Sequence, residues 1–81
     1  MKAVPVGQLR WRCRRGTKEL DQILGAFLEK EFAKAPKALQ NEFVALLKEN
    51  DPDIYDWIFG AVAVKKPNLI NIIRAIQLSI N

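Results

Sequence analysis

Histidine is absent from this sequence, and cysteine, serine, threonine and tyrosine occur once each, as Cys13, Ser79, Thr17 and Tyr55. Nucleophilic catalysis couples a Ser, Cys or Thr to a neighbouring base, most often His, and that base is missing. A thiolate or imidazole site for zinc or an iron–sulfur cluster needs several Cys or His ligands, so no metal centre of that kind is expected. A lone Cys makes no internal disulfide, and nothing argues for an oxidising compartment. No apolar run reaches the length of a membrane span, and the first residues lack the apolar core of a signal peptide. Cytoplasm is the expected compartment. Nine carboxylates remain, and paired carboxylates do acid/base work only where a cleft perturbs their pKa values. A chain of 81 residues buries only about 60 to 65 % of its unfolded surface, which leaves little room for a cleft beside the core. An enzyme in its own right is therefore the least favoured class, and no catalytic residue is assigned.

What is present describes an ordinary globular protein. The apolar fraction is 49 % and the charged fraction 27 %, neither a disordered tail nor a disulfide scaffold, and the length suits one domain over residues 1–81. A net charge of +4 hides a polarised chain. Residues 1–18 carry Lys2, Arg10, Arg12, Arg14, Arg15 and Lys18 with no acid. All nine acids fall between Glu19 and Asp56 beside four lysines, and positive charge returns with Lys65, Lys66 and Arg74. A basic first segment thus stands against an acidic middle.

Pro36, Pro52 and Pro67 each precede an apolar pattern of helical period. Residues 17–34 repeat Leu20, Ile23, Leu24, Phe27, Leu28 and Phe32 at the spacing of one buried helix face. Residues 36–49 place Leu39, Phe43, Leu46 and Leu47 on one stripe. A short helix over 52–59 has Asp51 as its natural N-cap, Asp53 favouring the helix dipole, and Gly60 to end it. The last helix, over 67–79, aligns Leu69, Ile72, Ile73, Ile76 and Ile80. Residues 9–14 alternate apolar and basic side chains as a half-buried strand would, but a lone strand has no partner here, so helix is preferred. On that helix Val6, Leu9 and Cys13 share one face, and Trp11, Arg14 and Arg15 the opposite one. Gly16 then supplies a left-handed C′ position, and Thr17 caps the next helix. The expected fold is all-α, a small single-domain bundle of five helices.

The corner between the first two helices is the least generic part of the chain. Arg14-Arg15-Gly16-Thr17-Lys18-Glu19-Leu20-Asp21 resembles the R-R-G-x-x-E-L-D stretch, with its RGxxE motif, of the SdhE family of small bacterial assembly factors for succinate dehydrogenase. Leu9-Arg10-Trp11-Arg12-Cys13 and Asp51-Pro52-Asp53-Ile54-Tyr55-Asp56-Trp57-Ile58 resemble two further blocks of that family. A bare R-G-x-x-E is weak, whereas three blocks in order and spacing, in a chain of matching length, are a strong signal. Thr17 departs from the larger apolar residue common there, and the tail after Gly60 is only loosely similar.

The resemblance implies a binding protein whose client is an enzyme. Such proteins promote covalent attachment of FAD to a histidine of the flavoprotein subunit of succinate dehydrogenase and, in many bacteria, of fumarate reductase. The bond-forming chemistry is the client's own, so the resemblance implies no cofactor held by this chain, which also lacks a Gly-rich dinucleotide fingerprint. It places partner binding on Arg15, Gly16, Glu19, Trp11, Arg14 and Asp21. Arg15 offers a rigid fork for a client carboxylate or carbonyls. Gly16 permits close approach, Glu19 is placed to pair with a client Arg or to brace Arg15, and Trp11 between Arg14 and Arg15 has the make-up of an interface hot spot.

Plainer readings exist for each of these. Gly16 is also a helix-ending glycine, Glu19 a favourable charge at a helix start, and the run of Arg10, Arg12 and Arg14 a solvated face. Trp57 and Phe59 read as core and near-core groups, Cys13 as a buried inert thiol, and Asp51 and Asp53 as caps. The rival functions are nucleic-acid binding, suggested by a pI of 9.5, and an antitoxin-type or membrane-associated regulator. Against the first, the basic groups do not continue along a recognition helix. The free protein is expected to be a monomer.

Overall fold

Each apolar stripe becomes a helix that buries it. The computed structural model of the protein describes residues 5–60 and 62–80, so the basic Lys2 lies outside the described residues. Among those residues there are five α-helices and no strand: α1 Val6–Arg12, α2 Lys18–Lys30, α3 Lys37–Leu46, α4 Asp51–Phe59 and α5 Ile70–Ile80. Short 3₁₀ turns at Phe32–Lys34 and Pro67–Leu69 lead into α3 and α5. The protein is all-α.

α2 presents Leu20, Leu24, Phe27 and Leu28 inward, α3 Phe43 and Leu46, α4 Ile54 and Ile58, and α5 Ile72, Ile73 and Ile76. They meet in one core, to which α1 contributes Leu9 and, just beyond its end, Cys13. Each such side chain stabilises the fold by roughly 1.5–3 kcal/mol relative to exposure. Phe43 occupies the middle, with Phe27 at 5.3 Å and Phe32 at 5.5 Å between ring centroids. α5 touches α2, α3 and α4, and polar ties fix two helix ends against it. Glu42 of α3 accepts the Ile72 N–H at 3.1 Å, and the Gln77 amide donates to the Trp57 carbonyl at 3.0 Å. Groups that a helix terminus leaves without an intrahelical partner are thereby satisfied across the fold.

Several expected boundaries shift for tertiary reasons. The helix expected over 17–34 gives way at Glu31 to the 3₁₀ turn Phe32–Lys34; that turn stops at Ala35, which precedes a proline and takes extended backbone, and the Phe32 carbonyl accepts from the Gln40 amide at 2.8 Å. The helix expected over 36–49 ends at Leu46. The N-cap of α4 is Asn50, with Asp51 already inside the helix. Gly60 does end α4, but with extended backbone and not in the left-handed region. A Cβ there would sit 2.9 Å from the Asp56 carbonyl oxygen, the same oxygen that accepts the Gly60 N–H. Glycine is required by that contact. Val6 and Ile80, placed on buried stripes by periodicity, are exposed at the two ends of the described chain. Phe59, expected near the core, is exposed and leans on Tyr55, whereas Trp57 is half-buried against the core as expected.

Burial pushes the Cys13 thiol up from its ordinary value of 9.0 to about 11, with the nearby Arg15 charge pulling the other way. Between pH 9 and 11 the native state therefore holds a proton that the unfolded chain releases, and this group's contribution to stability declines as pH rises through that window. At pH 8, alkylation by iodoacetamide is expected to be at least about 100-fold slower in the native protein than in urea, since only thiolate reacts. A mass-spectrometric time course checks it, and equal rates would place Cys13 at the surface.

Candidate partner-binding site

The corner begins where α1 ends. Cys13 closes the last turn of α1, and the Arg14 N–H donates to the Trp11 carbonyl at 3.1 Å. The first helix therefore stops three residues before Gly16, which is not its C′ residue as expected. Gly16 nonetheless has φ of +83°, in the left-handed region, where a side chain costs roughly 1 kcal/mol or more. A Cβ on Gly16 would meet nothing within 4 Å, so within this chain the demand for glycine is conformational. Thr17 holds the N-cap position of α2 with extended backbone, but its hydroxyl makes no capping bond, contrary to expectation.

Arg15 does not point outward. Its side chain is only 14 % exposed, and its donors are taken from inside the molecule. Nε donates to Asp51 Oδ1 at 2.7 Å, Nη1 to the carbonyls of Leu47 at 2.6 Å and Arg12 at 3.1 Å, and Nη2 to the Glu49 carbonyl. The backbone N–H of Arg15 donates to Asp21 Oδ1 at 2.6 Å. The guanidinium thus joins the end of α1, the carbonyls freed by the early end of α3, and the first residue of α4. Charge-assisted bonds of this kind are about twice as strong as neutral ones.

The other sequence-predicted residues lie outside this clamp. Trp11 is 72 % exposed, with the Arg14 guanidinium carbon 6.0 Å from its ring centroid, the outer limit of a cation–π contact. Arg14, Gly16 and Glu19 are exposed. The Glu19 side chain makes no hydrogen bond or ion pair among the described residues, so a brace between Glu19 and Arg15 is not formed; Asp51 and Asp21 take that place. The structure therefore divides the motif. The Arg15 side chain turns inward onto the end of α3 and the start of α4, and Asp21 holds the Arg15 backbone N–H, while Trp11, Arg14, Gly16 and Glu19 remain on the surface.

A known family matches this arrangement through its sequence. The profile of the family described as "Flavinator of succinate dehydrogenase" covers residues 7–79. The chain belongs to this family. Curated relatives agree: "FAD assembly factor SdhE" of Coxiella burnetii is 41 % identical over 70 residues, covering 86 % of this chain and 85 % of the relative. The protein of the same name from Haemophilus ducreyi is 30 % identical over 73 residues, 90 % and 89 % of the two chains. That of Vibrio cholerae is 42 % identical over 53 residues, 65 % of this chain and 62 % of the relative.

Four groups of this family member were missed as participants: Asp51 and the carbonyls of Arg12, Leu47 and Glu49. Asp51 reads locally as a cap, and a carbonyl has no residue-type signature, so the only available signal was that a loop arginine needs acceptors. No group of three or more His, Cys, Asp or Glu among the described residues forms a metal-holding cluster. No described helix is long and apolar enough to cross a membrane.

Proposed function

We propose that this chain is an assembly factor that binds the flavoprotein subunit of succinate dehydrogenase and promotes covalent attachment of FAD to it, docking through the exposed half of the corner. Membership of the flavinator family over residues 7–79 carries the reading. The corner supplies its physical basis: an exposed Trp, Arg and Glu around a glycine, with no internal partner for the Glu. A flat, rigid indole beside an arginine is the composition of interface hot spots.

The chain acts without chemistry of its own. It has no His to accept a flavin and no residue pair suited to nucleophilic catalysis, so FAD belongs to the client and this protein holds the client in a competent conformation. Fumarate reductase is a second client of the same type. The free protein is a cytoplasmic monomer. Nucleic-acid binding is disfavoured by the fate of the basic segment, where Arg15 is answered by Asp51 and Arg10 pairs with Glu29 at 3.2 Å, leaving fewer charges free for phosphate.

Co-expression with a flavoprotein subunit, read as covalent flavin fluorescence on a denaturing gel, tests the proposal. Glu19→Ala and a bulky replacement of Gly16 are expected to reduce the signal several-fold while helical content stays near wild type. Normal flavinylation by both variants would show that the corner is not the docking site.

A further inference from the structure

Beside the corner lies a surface groove of about 300 Å³, lined by Thr17 and Leu20 from the motif side and by Asp51, Pro52, Tyr55 and Asp56 of α4. It exists because Arg15 holds Asp51 and the carbonyls just before α4, and so keeps the start of α4 next to the start of α2. Tyr55 extends the groove along α4 by resting on Phe59, with ring centroids 4.8 Å apart and both rings exposed. The same helix carries Asp51, Asp53 and Asp56 and no cation. Arg15 answers Asp51, whereas Asp53 and Asp56 are exposed and have no ion pair among the described residues.

We infer that this groove is the second half of the client-docking surface, and that it receives an apolar side chain of the flavoprotein subunit flanked by an arginine or lysine. The inference rests on the functional reading above. Three observations carry it. The groove is continuous with the corner, sharing Thr17 with it and including Asp51, the carboxylate that Arg15 holds. The exposed corner residues Trp11, Arg14, Gly16 and Glu19 are too few alone for a specific interface, which takes on the order of 20–30 residues a side. Of the two acids on its α4 wall, Asp51 is answered by Arg15 whereas Asp56 has no ion pair among the described residues, and a basic client residue supplies the missing cation. A second apolar depression, lined by Phe27, Lys34, Pro36, Leu39 and Leu78, holds no motif residue and serves as the control.

The test is the affinity of the purified protein for the purified flavoprotein subunit of succinate dehydrogenase, measured by calorimetry. Tyr55→Ala and Asp56→Lys are each expected to weaken binding about tenfold. Tyr55→Phe and Leu78→Ala should bind as wild type, all with unchanged helical content and unfolding midpoint. If Glu19→Ala weakens binding and both groove variants bind normally, the groove is overturned and the function stands. If wild type does not bind the subunit, both fall. Should Asp56→Lys alone bind normally, the basic neighbour is struck out. Should wild type self-associate and Tyr55→Ala abolish only that, the occupant is a second copy and the inference is wrong.

Discussion

Arg15→Ala is expected to lower unfolding free energy by about 3 kcal/mol, a drop of roughly 10–20 °C in melting temperature for a domain of this size. The guanidinium meets one carboxylate and three carbonyls, and bonds to a charged group contribute about 1.5–3 kcal/mol each when isolated. They share one side chain and are partly screened, so they do not add. Removing it also leaves Asp51 and the Leu47 and Glu49 carbonyls short of partners at the edge of the core. Arg15→Lys restores a point charge near Asp51 but not the planar fork, and is expected to recover less than half of the loss. Urea unfolding followed by circular dichroism measures both. If Arg15→Ala stays within about 0.5 kcal/mol of wild type yet abolishes client capture, the guanidinium acts outward and the clamp is incidental.

Trp11→Ala is expected to do the reverse. At 72 % exposure the indole contributes little to the core, so stability should stay within about 0.5 kcal/mol of wild type. Affinity for the flavoprotein subunit should fall about 30-fold, equivalent to roughly 2 kcal/mol, the usual loss at a tryptophan hot spot. The pair of variants separates two ways of losing function: Arg15→Ala through the shape of the corner, Trp11→Ala through contact. A Trp11→Ala protein that binds normally would move the docking surface away from α1.

What the sequence made legible follows the range over which its signals act. The stripes of α2 through α5 were readable because Leu20, Leu24, Phe27 and their counterparts repeat with the helical period, and burial of one face dictates that period. Trp11 was readable as an outward residue because it lies across the helix from Leu9. The ends of α2 and α3 were not, since the carbonyls left beyond them are taken up by side chains of other elements, Phe32 by Gln40 of α3 and Leu47 by Arg15. The inward turn of the Arg15 side chain was illegible for the same reason. A basic side chain in a polar loop belongs at the surface by local rules, and its acceptors at Leu47, Glu49 and Asp51 lie 32 to 36 positions downstream. Asp21 looked like part of the surface motif and instead receives the Arg15 backbone N–H.

The Arg15 clamp makes the short motif an unsuitable object for transplantation. Its letters occupy a handful of consecutive positions, yet the conformation they take is imposed by carbonyls and a carboxylate belonging to the other half of the polypeptide. A synthetic peptide carrying only those letters has lost the template that bends it, and a chain still in the course of folding has not yet acquired it. The bend that sets Gly16 and Glu19 at the surface is thus a property of the completed domain and not of the short run of letters that spells it.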